Sequence, residues 1–309
     1  MRKIYALLFC LSLGTVSQAQ PWPYDFGTST GTFSSSTASE SFLPTPATNG
    51  GKARVRTGAG STSVNLEAST IGTSGSQLRI QASNSSSTTK FSVYDFTPGK
   101  TFAMKYTMNL SGSSSGFWMF MIGDGDLYSD NQSSTTGGAT TFLPQTFFAL
   151  RFTYGASSGI TTAYRSSGST FVTTGITGSP ISQSDTYQIE ILGNNKTSSV
   201  SYLRNGTTYN LAANKVDIWV GNTLIADDIA KSSNFANDKN IDSWMFAGES
   251  STGNGRIILD DIEYTSNFET APLPIELISF EAKKLAEKVQ LNWATSSELN
   301  NESFTIERS

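Results

Sequence analysis

Histidine is absent from all 309 residues. That absence excludes Ser-His-Asp triads, Cys-His pairs, His-ligated zinc or haem, and imidazole acid–base chemistry. Cysteine occurs once, as Cys10, so no disulfide can close within the chain. Charge is sparse: 21 basic and 25 acidic residues leave a net charge of -4 and a pI near 5.0. A chain with no basic footprint cannot neutralise a run of phosphates, so nucleic acid is excluded as a partner. Long apolar runs are missing beyond the first twenty residues, and no later stretch could span a bilayer. What fills the space is hydroxyl: 47 Ser and 38 Thr stand beside 27 Gly. Ser and Gly interrupt helices, whereas Thr and the aromatic residues suit a pleated surface. An all-β chain is the expectation.

The N-terminus reads as an export signal. Arg2 and Lys3 precede an apolar run from Ile4 to Val16, and Ser17-Gln18-Ala19 supplies the small residues of a cleavage site. Cleavage after Ala19 removes Cys10 with residues 1–19, takes the charge to -6 and leaves no membrane-spanning segment. The mature protein is then expected outside the cell or on its outer surface, free of both Cys and His, and held by a hydrophobic core or by bound ions.

Composition changes once along the mature chain. The last glycine is Gly255, and 11 of the 41 residues from Glu269 onward are charged, against 35 of the preceding 268. We therefore divide the chain into a large domain at 20–268, a linker at 269–275 carrying Pro272 and Pro274, and a short β segment at 276–309. Within the large domain, period-two patterns between polar turns predict strands at 53–56, 77–82, 90–94, 101–109, 116–122, 146–154, 160–164, 186–192, 199–204, 216–220, 223–226, 243–246 and 256–264. Asn205-Gly206 and Gly221-Asn222 mark hairpin corners. So many short strands predict two packed antiparallel sheets, a jelly-roll sandwich.

The segments Tyr187–Ile191, Val216–Ile225, Trp244–Gly248 and Ile257–Tyr264 resemble the late strands of concanavalin A-like, laminin G-like jelly rolls in exported proteins of the Bacteroidetes. A second resemblance lies in Leu273–Ala282, Val289–Asn301 and Ser303–Ser309, which are similar to the fibronectin type III-like segment that precedes type IX secretion sorting domains. The chain holds only three strands of that segment. The resemblance therefore implies a polypeptide that continues into a sorting domain, with the type IX secretion machinery as a partner only in that case.

The candidate chemistry is acidic and aromatic. Asp260 and Asp261 are adjacent in an expected strand, so their side chains should point to opposite faces. An inward carboxylate needs either a cation such as a structural Ca²⁺ or the capping of backbone N–H groups. Asp124, Asp126 and Asp130, spaced on a Gly-containing turn, form a second calcium candidate, with solvated turn residues as the alternative. Concanavalin A-like hydrolases place a Glu-x-Asp-x-Glu step on one strand face, and this chain has none; the His of the lyases on that fold is also missing. A non-catalytic module that binds a polysaccharide or another cell-surface polymer is the leading expectation, with a structural or adhesive surface protein and a divergent polysaccharide-degrading enzyme as alternatives. Tyr128, Tyr154 and Tyr164 adjoin polar loops and are the expected exposed platforms for sugar rings. Trp118, Trp219 and Trp244 fall in apolar runs and are expected in the core.

Overall fold

A computed structural model describes residues 22–46, 51–60, 62–73, 75–84, 87–129, 143–178, 180–249, 253, 255–266, 277–285 and 288–295. The signal segment 1–19, Asp130, the linker 269–275 and the last expected strand at 303–309 lie outside them. The described residues form twenty strands: β1 (Trp22–Tyr24), β2 (Gly31–Phe33), β3 (Lys52–Arg56), β4 (Val64–Ala68), β5 (Ser76–Gln81), β6 (Thr89–Tyr94), β7 (Thr101–Ser111), β8 (Phe117–Gly123), β9 (Thr146–Tyr154), β10 (Ile160–Ser167), β11 (Thr170–Val172), β12 (Thr186–Asn194), β13 (Val200–Arg204), β14 (Thr207–Leu211), β15 (Lys215–Val220), β16 (Thr223–Ala230), β17 (Ser243–Glu249), β18 (Arg256–Thr265), β19 (Leu277–Leu285) and β20 (Lys288–Thr295). Among the described residues there is no α-helix, and no helix long and apolar enough to cross a membrane. Each strand expected in the large domain is present. Those not expected include β1, β2 and β11, whose three residues carry no readable period.

Two antiparallel sheets stack as the expected jelly-roll sandwich. The larger runs β16-β15-β12-β7-β18-β5-β4-β2, with β1 also on β18, and the smaller runs β11-β10-β9-β8-β17-β6-β3. Their inner faces share one apolar core that includes Trp118, Phe120 and Ile122 of β8, Phe91 of β6, Trp244 and Phe246 of β17, and Tyr106 of β7. Most of its aromatic pairs adopt edge or tilted geometries, such as Phe91 on Trp244 at 5.3 Å and 88°. Full burial of side chains of this size contributes roughly 1.5–3 kcal/mol each, which is what a chain without disulfides requires.

Strand β8 is apolar at both parities because both its faces are covered. Its odd-numbered Met119 and Met121 join Met245, Ala247 and Ala149 on the outer face of the smaller sheet, under Leu127 and Tyr128. The β13–β14 hairpin turns at Asn205 (φ 49°) and Gly206 (φ 76°), the left-handed pair that a two-residue turn needs. Tyr202 and Leu211 from this hairpin pack with Leu192 and Trp219 on the outer face of the larger sheet. Strands β19 and β20 form a separate hairpin whose Ile278, Phe280 and Trp293 are exposed.

Candidate functional site

The local event that builds the site is a break in β18. Ile257 and Leu259 face the core, and so do Ile262 and Tyr264; the inward parity changes from odd to even between them. An inserted residue accounts for it. The register against β7 shifts between Asp260 and Glu263, and Asp261 takes the left-handed φ of 46°, the conformation found in G1-type β-bulges. On the other flank, β5 pairs with β18 only at Arg256–Leu259 and β1 only at Ile262–Tyr264. The two short strands thus meet β18 end to end, and the bulge occupies the gap between them.

This geometry corrects the expectation that Asp260 and Asp261 point to opposite faces. The bulge turns both toward one cleft of about 400 Å³, which Asp25, Thr73, Lys105, Gln188 and Glu263 also line. Asp260 is buried at 3% exposure, and its carboxylate is enclosed by its own chain. Ser69 Oγ donates to its Oδ2 at 2.5 Å and the Asp261 N–H to its Oδ1 at 2.8 Å. Burial raises the Asp260 pKa, and these two bonds oppose the rise. Gly72 closes over this carboxylate so tightly that a Cβ there would overlap it, and its N–H donates to Ser69 Oγ at 3.1 Å. Asp261 Oδ1 accepts from Thr73 Oγ1 at 2.7 Å and from the Thr73 N–H at 3.2 Å.

The donor set matches the capping alternative: both carboxylates accept from hydroxyl and backbone donors. No group of three or more acidic side chains suited to a metal occurs among the described residues. The second calcium candidate is only partly described. Asp124 pairs with Lys239 at 3.1 Å, Asp126 is exposed on its turn, and Asp130 lies outside the described residues.

The mouth of the cleft is different. Lys105 of β7 stands opposite Glu263 of β18 on one side and Glu190 of β12 on the other, yet among the described residues it forms no ion pair. Lys105, Gln188 and Glu263 therefore present two donors and a carboxylate with no side-chain partner in the described chain. Glu190 is instead held by Arg204, whose guanidinium lies 4.5 Å from the Trp219 ring.

The three tyrosines expected as exposed platforms are buried, with exposures of 0% for Tyr128, 3% for Tyr154 and 7% for Tyr164. Tyr154 shares its parity in β9 with Phe148, Leu150 and Phe152, all in the core, and its hydroxyl donates to the Arg256 carbonyl at 2.7 Å. Tyr164 stacks on Phe148 with centroids 6.1 Å apart. Tyr128 packs over the outer-face methionines, and burial pushes its phenol pKa up. Trp118, Trp219 and Trp244 are buried as expected.

No family model matches the sequence, and no curated protein matches it. Solved structures give distant likenesses. The lectin UEA-II complexed with galactose aligns at 10% identity over 76% of this chain and 98% of its own, with a TM-score of 0.40. The metal-free carbohydrate recognition domain of Emp46p aligns at 8% identity over 61% and 82%, with a TM-score of 0.38. A sialidase aligns at 9% identity over 69% of this chain with a TM-score of 0.41, and the chain spans only 17% of that protein's length.

Proposed function

We propose that the sandwich is an exported, non-catalytic module that binds a hydroxyl-rich polymer, a glycan, at the cleft beside the β18 bulge. The observation that carries this reading is the division of labour within the cleft. Asp260 and Asp261 are held by internal donors, while Lys105, Gln188 and Glu263 at the mouth have no side-chain partners among the described residues. Glycoside hydrolysis needs two carboxylates free to move protons or attack carbon across a sugar. Carboxylates fixed by Ser69, Thr73 and backbone N–H groups are placed for neither task, whereas an amine, an amide and a carboxylate side by side suit the alternating donors and acceptors of sugar hydroxyls. Export is supported by Arg2 and Lys3 before the apolar run and the small residues ending at Ala19.

Affinity electrophoresis of the mature protein against a panel of polysaccharides tests the reading. At least one polymer should retard it, and Lys105→Ala should weaken that retardation by about tenfold, the effect of one charge-assisted hydrogen bond. A flat panel would favour a structural or adhesive role. Accumulation of reducing ends or unsaturated products would make the protein an enzyme.

A further inference from the structure

On the opposite side of the molecule, the outer face of the smaller sheet carries two positive charges that the described chain does not neutralise. Arg151 of β9 stands between Met119 of β8 and Ala163 of β10, and Arg165, two residues beyond Ala163, is paired with Phe171 of β11. The two guanidinium groups gather around one ring. Arg151 Cζ lies 4.1 Å and Arg165 Cζ 5.3 Å from the Phe171 centroid, with Phe117 5.7 Å from Arg151.

Arg165 is only 2% exposed, and the Nε atoms of both residues are buried without a hydrogen-bond partner. Among the described residues neither forms an ion pair. Burial lowers the pKa of each; for Arg165 the neighbouring Tyr128 opposes this and the charge of Arg151 adds to it. Among the described residues, the neighbouring groups leave both charges unpaired. Tyr128 is held neutral by burial, and Glu249, opposite Phe117 on β17, takes the Thr88 hydroxyl at 2.8 Å and pairs with neither arginine.

Stacking on a ring satisfies the face of a guanidinium and leaves its N–H donors pointing outward in the plane. Two like charges brought together in a buried place, with their donors unmet, match an oxyanion that accepts from both. We propose that Arg151 and Arg165 form a binding site for one oxyanion group, a carboxylate or sulfate, of the kind an acidic saccharide carries. The site lies on the other sheet from the cleft and does not depend on it.

Isothermal titration calorimetry of the full chain at fixed ionic strength tests the proposal with three probes: trigalacturonate, inorganic sulfate and a neutral galactose trisaccharide. Trigalacturonate should bind, sulfate should compete with it, and Arg151→Met should weaken both by tenfold or more. Arg165→Lys, which keeps the charge and loses the fork, should also weaken binding. Binding of sulfate without trigalacturonate would uphold the site and assign it to a free anion. Should Arg165 variants fail to fold, the part-exposed Arg151 decides the matter alone. Equal affinity in wild type and Arg151→Met, or no heat with either anion, would overturn the proposal. Loss of anion binding in Lys105→Ala would transfer it to the cleft.

Discussion

Replacing Asp217 with Asn should flatten part of the dependence of stability on pH. Asp217 lies on β15 beneath the β13–β14 hairpin and is 1% exposed. Its Oδ2 accepts from the Tyr202 hydroxyl at 2.7 Å and its Oδ1 from the Asp228 N–H at 2.8 Å, while Trp219 Nε1 donates to the same tyrosine oxygen at 3.1 Å. Burial raises the Asp217 pKa from 3.8 to about 6; the two bonds it accepts hold it lower than burial alone would, and the charges of Asp227 and Asp228 push the other way. The sign follows from which state holds the proton. Between pH 3.8 and about 6 the native carboxyl keeps a proton that the unfolded chain has released, so stability is greatest below that window and falls as pH rises through it. A pKa raised from 3.8 to about 6 corresponds to about 3 kcal/mol, at about 1.4 kcal/mol for each tenfold change in proton affinity. Glu249, raised to about 7 chiefly by burial, adds a slope of the same sign in both proteins, so comparing wild type with Asp217→Asn isolates Asp217. Any rearrangement of the Tyr202 hydroxyl around the new amide is an offset at every pH and cancels in the slopes. Urea unfolding followed by tryptophan fluorescence at pH 4 and pH 7, which spans most of that window, should show the wild type losing about 2.4 kcal/mol more than the variant. Equal losses would refute the assignment.

Two further outcomes follow from packing and from the cleft. Gly193→Ala should destabilise the sandwich by about 1–3 kcal/mol, because a Cβ on β12 would overlap the ring of Phe102 on β7; a melting temperature within a degree of wild type would show that the ring has room to move. Addition of EDTA should leave the melting temperature unchanged, since Asp260 and Asp261 are satisfied by Ser69, Thr73 and a backbone N–H; a drop of several degrees would reveal a cation that stabilises the native form by mass action.

Much of the fold was legible because two-residue periodicity is local. The alternation in β7, β9 and β12, the Asn205-Gly206 corner and the doubly apolar β8 all state their environment within a few residues. For the tyrosines two local signals compete. Nearness to a polar loop says where a strand ends, whereas Phe148, Leu150 and Phe152 state which way Tyr154 points. The arginine pair was hidden for a different reason. Arg151 and Arg165 meet only through the registers of β9, β10 and β11, and the lack of an ion pair for either among the described residues is a property of the folded surface that no short window contains.

The cleft lies between these two cases. In Ile257-Ile258-Leu259-Asp260-Asp261-Ile262-Glu263-Tyr264 the core-facing residues are spaced two, then three, then two apart. An uninterrupted strand cannot carry that spacing, because one extra residue turns every later side chain to the other face. Placing Asp260 and Asp261 on opposite faces assumed the strand was regular, although the interval from Leu259 to Ile262 already required a bulge at those two aspartates. What the interval could not supply is the reason the bulge is tolerated. That reason is the meeting of β5 and β1 on the same flank of β18, with Ser69 and Thr73, nearly two hundred residues earlier, bringing the hydroxyls that satisfy both carboxylates. Parity can therefore show where a sheet must break, while the chemistry that fills the break comes from the connection between β4 and β5, whose place against β18 is decided only when the whole sandwich closes.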